Sequence, residues 1–298
     1  KVDGYEFSAD ESRLIIRSGT ESIYRRSVKA NYFVYDREAG TLTTVFDEGK
    51  HSYATLNPQA DKVAFTFENN LYYHDLTNGK ITQVTTNGAQ NKIIYGSTDW
   101  VYEEEFSIVK AFDWNANNDK IAFIRFDETK VPEFSMDVYG ETLYQTQHVF
   151  KYPKAGEPNS EVSLHVYDLK TNTLEALKTT TVYEDFYIPR IAWTNDPQVL
   201  SAQFINRHQN QLDLWMFDTD KDSAELVLQD KDEAYVEVTD YLTFLEDNSF
   251  IWTSEKDGFN HIYHYNKNGK LITQVTKGNW EVTNYYGFDE ENKTVYYQ

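Results

Sequence analysis

The residue pattern of this chain predicts an all-β protein, a β-propeller of four-stranded blades, on three observations. An aromatic or leucine, then a short polar turn, then an apolar strand recurs along the chain. Within each recurrence a second strand–turn–strand pattern follows. No stretch sustains the 3.6-residue apolar period of an amphipathic helix over a dozen residues.

The first pattern reads FSADESRLII from Phe7, LNPQADKVAFTF from Leu56, WNANNDKIAFIRF from Trp114, WTNDPQVLSAQF from Trp193, FLEDNSFIWT from Phe244 and FDEENKTVYY from Phe288. These starts lie 49, 58, 79, 51 and 44 residues apart. The second pattern reads NYFVYDREAGTLTTV, NLYYHDLTNGKITQVT, SLHVYDLKTNTLEAL, LDLWMFDTDKDSAELVL and HIYHYNKNGKLITQVT. Within it, Tyr72, His74 and Leu76 alternate with Leu71, Tyr73 and Asp75, as a strand with two distinct faces requires. Asn78–Gly79 and the turn ending at Gly269 supply the positive φ angles of tight hairpins. Four short strands per unit, repeated, make a propeller blade. The expectation is one partial propeller domain over 1–298, about five blades plus a truncated sixth. The 79-residue unit is overlong because of an insertion over 127–162, and long excursions from repeat scaffolds often carry function.

Composition agrees. With 23 Tyr, 18 Phe and 6 Trp against only 13 Gly and 6 Pro, the chain is rich in strand formers and able to build a core. Its formal charge of −20 repels phosphate backbones, so nucleic acid is not an expected partner. With 0 Cys there is no disulfide framework and no thiolate metal site. The opening KVDGYEF and the closing NKTVYYQ read as cuts within a longer polypeptide.

The segment STDWVYEEEFS, Ser97–Ser107, breaks the β pattern. A run of glutamates in an acidic chain reads first as solvated surface. Here, however, Trp100, Tyr102 and Phe106 surround the run just before a blade begins. On a strand, neighbouring side chains point to opposite faces. On one helical turn they diverge by about 100° and are able to converge on one ligand. A short helix after STDW would therefore let two carboxylates grip one ammonium group through charge-assisted hydrogen bonds.

DWVYEEEF resembles the hallmark segment of the dipeptidyl peptidase IV branch of the prolyl oligopeptidase-like serine peptidases. KIAFIRFDETKVPEF, KYPKAGEPNSEVSLHVYDL, SEKDGFNHIY and VTKGNWEV resemble further segments of that branch in order, across nearly all 298 residues. The resemblance implies an eight-bladed propeller, present here as a fragment, above an α/β-hydrolase domain that this chain lacks. It implies an enzyme that releases Xaa-Pro or Xaa-Ala dipeptides from peptides with a free N-terminus. By matching the hallmark, the ammonium-binding pair falls on Glu104 and Glu105, with Glu103 and Tyr102 as supporting members. The family's aromatic-Arg-x-Ser segment resembles SIYRRSVKANYFVYD, which places the carbonyl-contacting arginine on Arg25, with Arg26 taking the part if the register slips by one. The family's inter-blade aromatic has no clear match, because DEAYVEVTDYLTF is shorter than the family pattern; Tyr235 and Tyr241 are candidates to approach the cavity, with core packing the expected role of each.

The resemblance also implies the Ser-Asp-His triad of the hydrolase domain. None of the 13 glycines opens a G-x-S-x-G elbow, so the chain alone should be inactive. No cofactor and no metal are expected. His261 and His264 are three apart on a strand and face opposite sides. His51, His74, His148, His165 and His208 show no ligand spacing. Homodimerisation of the full-length form and an extracytoplasmic place, periplasmic, secreted or membrane-anchored, follow from the resemblance. So does a bacterial source, since animal members are expected to carry propeller disulfides. The alternative from another class is a non-catalytic propeller that serves as a protein-interaction platform, distinguished by what lies beyond Gln298. A tripeptidyl relative shares the fold but should alter the paired-glutamate segment, and YEEE is intact.

Overall fold

The computed structural model describes residues 1–178 and 183–298. The chain divides into two compact units, Lys1–Ala176 and Leu177–Gln298. In the first unit, β1 (Gly4–Phe7), β2 (Arg13–Ser22), β3 (Val28–Asp36) and β4 (Thr41–Thr44) form an antiparallel meander in chain order. β5 (Ser52–Leu56), β6 (Lys62–Phe67), β7 (Asn70–Asp75) and β8 (Lys80–Gln83) form the next. Then β9 (Ile93–Tyr95) leads through a short helix α1 (Trp100–Glu105) into β10 (Phe112–Trp114) and β11 (Lys120–Asp127). β12 (Glu133–Val138) and β13 (Thr146–Lys151) pair only with each other. β14 (Glu161–Asp168) and β15 (Thr173–Ala176) complete the third meander, ordered β10-β11-β14-β15, with β9 added against β11.

The second unit repeats the plan. β16 (Phe186–Trp193), β17 (Val199–Asn206), β18 (Gln211–Asp218) and β19 (Ser223–Lys231) form one four-stranded sheet. β20 (Thr243–Phe244), β21 (Phe250–Ser254), β22 (His261–Tyr265) and β23 (Leu271–Gln274) form another. β24 (Tyr285–Asp289) pairs with β25 (Thr294–Tyr297). These four-stranded antiparallel meanders are the blades of a β-propeller.

Each copy of the first sequence pattern is the hairpin between the first two strands of a sheet, and each copy of the second joins its last two. The polar turn residues have a specific task. Asp10 Oδ1 accepts from the Ser12 N–H at 3.0 Å, and Asn57 Oδ1 from that of Lys62 at 2.9 Å. Asn115 Oδ1 accepts from both Asp119 and Lys120, at 3.0 and 2.9 Å. Asp and Asn close these turns because their short side chains satisfy backbone donors that the ladder leaves over. Gly269 shows why the turn before β23 needs glycine. Its φ is +75°, and a Cβ there would lie 1.5 Å from the Val227 carbonyl oxygen.

The blades pack face on face inside each unit. Ile15, Tyr32, Val34, Val63 and Phe65 belong to one cluster between the first two sheets, and Ala64, Leu71, Phe112, Ile121 and Phe123 to the next. Each fully buried large apolar side chain stabilises the fold by about 1.5–3 kcal/mol. β7 is a regular strand, as its alternation predicts, and both of its faces are buried. His74 is buried together with its neighbour Tyr73, and its Nδ1 lies 2.9 Å from the Val45 carbonyl oxygen. A blade interleaved between two others has no solvent face to which alternate residues are sent.

His261 and His264 take separate partners. His261 sits between Thr276 Oγ1 and the Gly278 carbonyl oxygen, and His264 Nε2 lies 2.9 Å from Ser249 Oγ. Among the described residues no group of three His, Cys, Asp or Glu side chains is placed to hold a metal, and no helix is long and apolar enough to cross a membrane.

Candidate functional site

The three consecutive glutamates lie on α1, a helix of six residues. Asp99 caps its N-terminus, in extended backbone, by accepting the Tyr102 N–H on Oδ1 at 3.0 Å. The other Asp99 oxygen accepts the Ser160 hydroxyl at 2.6 Å. Burial pushes the Asp99 carboxyl up, against the lowering effect of these hydrogen bonds. At the other end Ser107, with φ of 58°, turns the chain out of the helix. Tyr102 anchors the helix from inside. It is 1% exposed, and its ring meets Phe126 edge-on at 4.7 Å and Phe106 at 5.2 Å.

A rotation of 100° per residue sends the glutamates in different directions. Glu103 points inward and is buried, Glu104 is half-buried, and Glu105 is exposed. The inward carboxylate does not stand alone. Its Oε1 accepts the backbone N–H groups of Arg26 at 2.5 Å and Ser27 at 2.9 Å, both in the turn between β2 and β3. The Arg26 guanidinium donates to the Glu103 carbonyl oxygen. These bonds clamp the helix to a turn 77 residues earlier in the chain.

The clamp sets the outer groups. Arg25 Nε stands 3.3 Å from Glu104 Oε1, with side chains 72% and 15% exposed. Such an exposed pair adds at most about 1 kcal/mol of stability. Its meaning is geometric: a guanidinium with free donors stands beside the Glu104 carboxylate, and the next carboxylate in the chain, Glu105, has no hydrogen-bond or ion-pair partner among the described residues. Arg26 spends its guanidinium on the helix backbone and Arg25 faces Glu104.

Behind the helix an open cavity of about 800 Å³ is lined in part by Tyr24, Ser27, Trp100, Glu128 and His148. Burial, reinforced by Asp99, raises the Glu128 carboxyl to about 7, partly offset by Lys151. The same burial, with Glu128, Glu103 and Asp99 nearby, raises Tyr24 to about 12.

The insertion over 127–162 is a hairpin. Its strands β12 and β13 run in register from Glu133 opposite Lys151 to Val138 opposite Thr146. Its tip is solvated: Tyr139 is 79% exposed, Leu143 98% and Tyr144 81%.

In the second unit, Tyr235 and Tyr241 both line an open cavity of about 620 Å³, with Glu237, Glu255 and Lys256. Tyr241 also packs against the Leu245, Ile251 and Ile262 cluster, as expected of a core residue. Tyr235 corrects that expectation: it is 47% exposed.

Ser27 and Ser160 are the contributors that sequence reasoning missed, and Glu103, expected as a supporting member, is the clamp. Their partners are remote in the chain, and the one local signal is the Asp99 cap ahead of an apolar turn.

The family model for the dipeptidyl peptidase IV (DPP IV) N-terminal region matches residues 8–298. Dipeptidyl aminopeptidase B of Saccharomyces cerevisiae is 28% identical over 99% of this chain and 38% of its own length. Dipeptidyl-aminopeptidase B of Aspergillus niger is 29% identical over 92% of this chain and 34% of its own length. The crystal structure of Porphyromonas gingivalis dipeptidyl peptidase 4 superposes with a TM-score of 0.96 at 37% identity, covering 100% of this chain and 42% of that one. The chain thus spans little more than a third of the length of these curated relatives.

Proposed function

The chain belongs to the family of dipeptidyl peptidase IV N-terminal regions, and from that premise we propose that it is the substrate-binding propeller part of a serine exopeptidase. The full-length enzyme releases Xaa-Pro and Xaa-Ala dipeptides from peptides with a free N-terminus. Glu104 and Glu105 receive the substrate's α-ammonium, and Arg25 donates to a substrate carbonyl oxygen while steadying Glu104. An α/β-hydrolase domain of the same polypeptide supplies the serine, aspartate and histidine.

The observation that carries this reading is the arrangement on α1. One carboxylate is held by Arg25, the next is unengaged, and both sit on a helix tied down by Asp99 and Glu103. Two carboxylates fixed at one distance from a nucleophile count residues from the amine, because a peptide is cut only where its carbonyl reaches the serine. The held geometry lowers the cost of ordering the site on binding.

The reading extends to assembly and place. The full-length form is a homodimer, and the apolar hairpin tip with Tyr139, Leu143 and Tyr144 is the surface this segment offers to it. The enzyme works outside the cytoplasm. The absence of cysteine and the 37% identity with the Porphyromonas gingivalis enzyme support a bacterial source.

Glu104→Gln and Glu105→Gln in the full-length enzyme test the amine site. Each removes a charged partner of the ammonium, and kcat/KM on a dipeptidyl amide is expected to fall by about 30-fold or more, which corresponds to 2 kcal/mol or above. Unchanged kcat/KM in both variants would end the assignment.

A further inference from the structure

We infer that the root of the β12–β13 insertion is a positioning element of the amine site, with Phe150 and Tyr152 as its positioning residues. The inference rests on the amine-site reading above and assigns a task to a segment that the reading otherwise uses only at its tip.

The site is assembled from two elements remote in sequence, the turn that carries Arg25 and the helix that carries Glu104 and Glu105. Tyr24 immediately precedes Arg25, and Trp100 is the first residue of α1. The insertion touches both. Phe150, 4% exposed, places its ring 5.7 Å from that of Tyr24 and 6.4 Å from that of Trp100. His148, two residues back on β13, stacks on Tyr24 at 6.1 Å with 16° between planes. Tyr152, two residues on, lies 4.3 Å from Trp100. Phe134 of the facing strand closes the cluster against Phe150 and Tyr152, at 6.1 and 5.3 Å. The returning end of the insertion reaches the same helix from another side, where Ser160 donates to the Asp99 cap at 2.6 Å.

The insertion therefore meets the helix at its cap and first residue, and the arginine turn at the residue before Arg25. Glu103 clamps the same two elements through backbone hydrogen bonds, which fix their closest approach. The aromatic wedge fills the neighbouring space and resists rotation about that clamp. The two arms of the insertion are joined at its root, where Lys151 donates from Nζ to the Val131 carbonyl oxygen at 2.8 Å. A site whose two halves are free to shift must be ordered when the substrate binds, and that cost is taken from the binding free energy, so a wedge between the halves bears directly on affinity for the substrate amine.

The test uses the full-length enzyme with Phe150→Ala, Tyr152→Ala, Phe150→Leu and, for reference, Glu104→Gln. The readouts are KM and kcat on a Gly-Pro chromogenic amide, and inhibition by a free dipeptide. Removing the wedge is expected to raise KM and weaken the dipeptide by about tenfold while kcat stays within about twofold, since the nucleophile is elsewhere. Phe150→Leu, which keeps apolar bulk, should recover most of the loss. If Phe150→Ala does not fold, Tyr152→Ala, at the partly exposed edge, carries the comparison. An effect of Glu104→Gln beside unchanged KM in both alanine variants, even with a lowered Tm, would overturn the inference and leave ordinary packing. A silent Glu104→Gln would instead remove the amine site itself, and this inference with it.

Discussion

Replacing Glu103 separates the clamp from the carboxylates proposed to receive the ligand. Glu103 is 1% exposed, and its Oε1 holds two backbone N–H groups, of Arg26 and Ser27. Alanine leaves the buried Ser27 donor without a partner and gives the part-buried Arg26 donor to solvent. A buried donor left unsatisfied costs about 1–3 kcal/mol and the loss of a part-buried bond about 1 kcal/mol, so the two set the loss at about 2–4 kcal/mol. Glutamine keeps an oxygen in place but gives up the charge, and since charge-assisted bonds are about twice as strong as neutral ones the cost falls to about 1–2 kcal/mol. In a unit of this size each kcal/mol shifts Tm by about 2–4 °C. Thermal unfolding of the wild type and the two variants is the assay. The expected order is wild type, then Glu103→Gln, then Glu103→Ala several degrees below, with a weakened amine ligand in the last because the Arg25 turn is released. A Glu103→Ala variant that melts within 1 °C of wild type would refute the clamp.

Two further predictions follow from other parts of the molecule. Glu128 titrates at about 7 because burial and Asp99 disfavour its carboxylate. Below the ordinary glutamate value both folded and unfolded states are protonated and the group costs nothing; as pH rises towards 7 only the unfolded state ionises, so stability falls, and above 7 the cost levels at about 3 kcal/mol. Glu128→Gln should gain on wild type between pH 4.5 and 8, and a stability difference that does not move with pH would contradict this. At the hairpin tip, replacing Tyr139, Leu143 and Tyr144 with serine should shift the full-length enzyme towards monomer by sedimentation, and an unaltered dimer would show that the tip is not the interface.

What the sequence made legible is what local chemistry decides. The Asp and Asn turns after Phe7, Leu56 and Trp114 announce their hairpins because the side chain that closes each turn lies within a few residues of the donors it satisfies. The helix was legible for a like reason, with Asp99 one residue ahead of it. The supporting role of Glu103 came from the resemblance alone, and its partners were not legible, since Arg26 and Ser27 are a blade and a half away and nothing in YEEE itself marks which glutamate turns inward. The insertion was visible as surplus length, but its hairpin pairing and the wedge formed by Phe150 depend on contacts with Tyr24 and Trp100. Tyr235 misled because aromatic character alone does not distinguish a core ring from one that lines a cavity.

The central claim, that paired carboxylates on α1 hold a substrate's free amine, is tested most directly with the full-length enzyme on a Gly-Pro chromogenic amide, beside the same compound acetylated at its N-terminus. The account predicts rapid cleavage of the free amine and none detectable of the acetylated form, which offers Glu104 and Glu105 no positive charge. Equal cleavage of the two would contradict it.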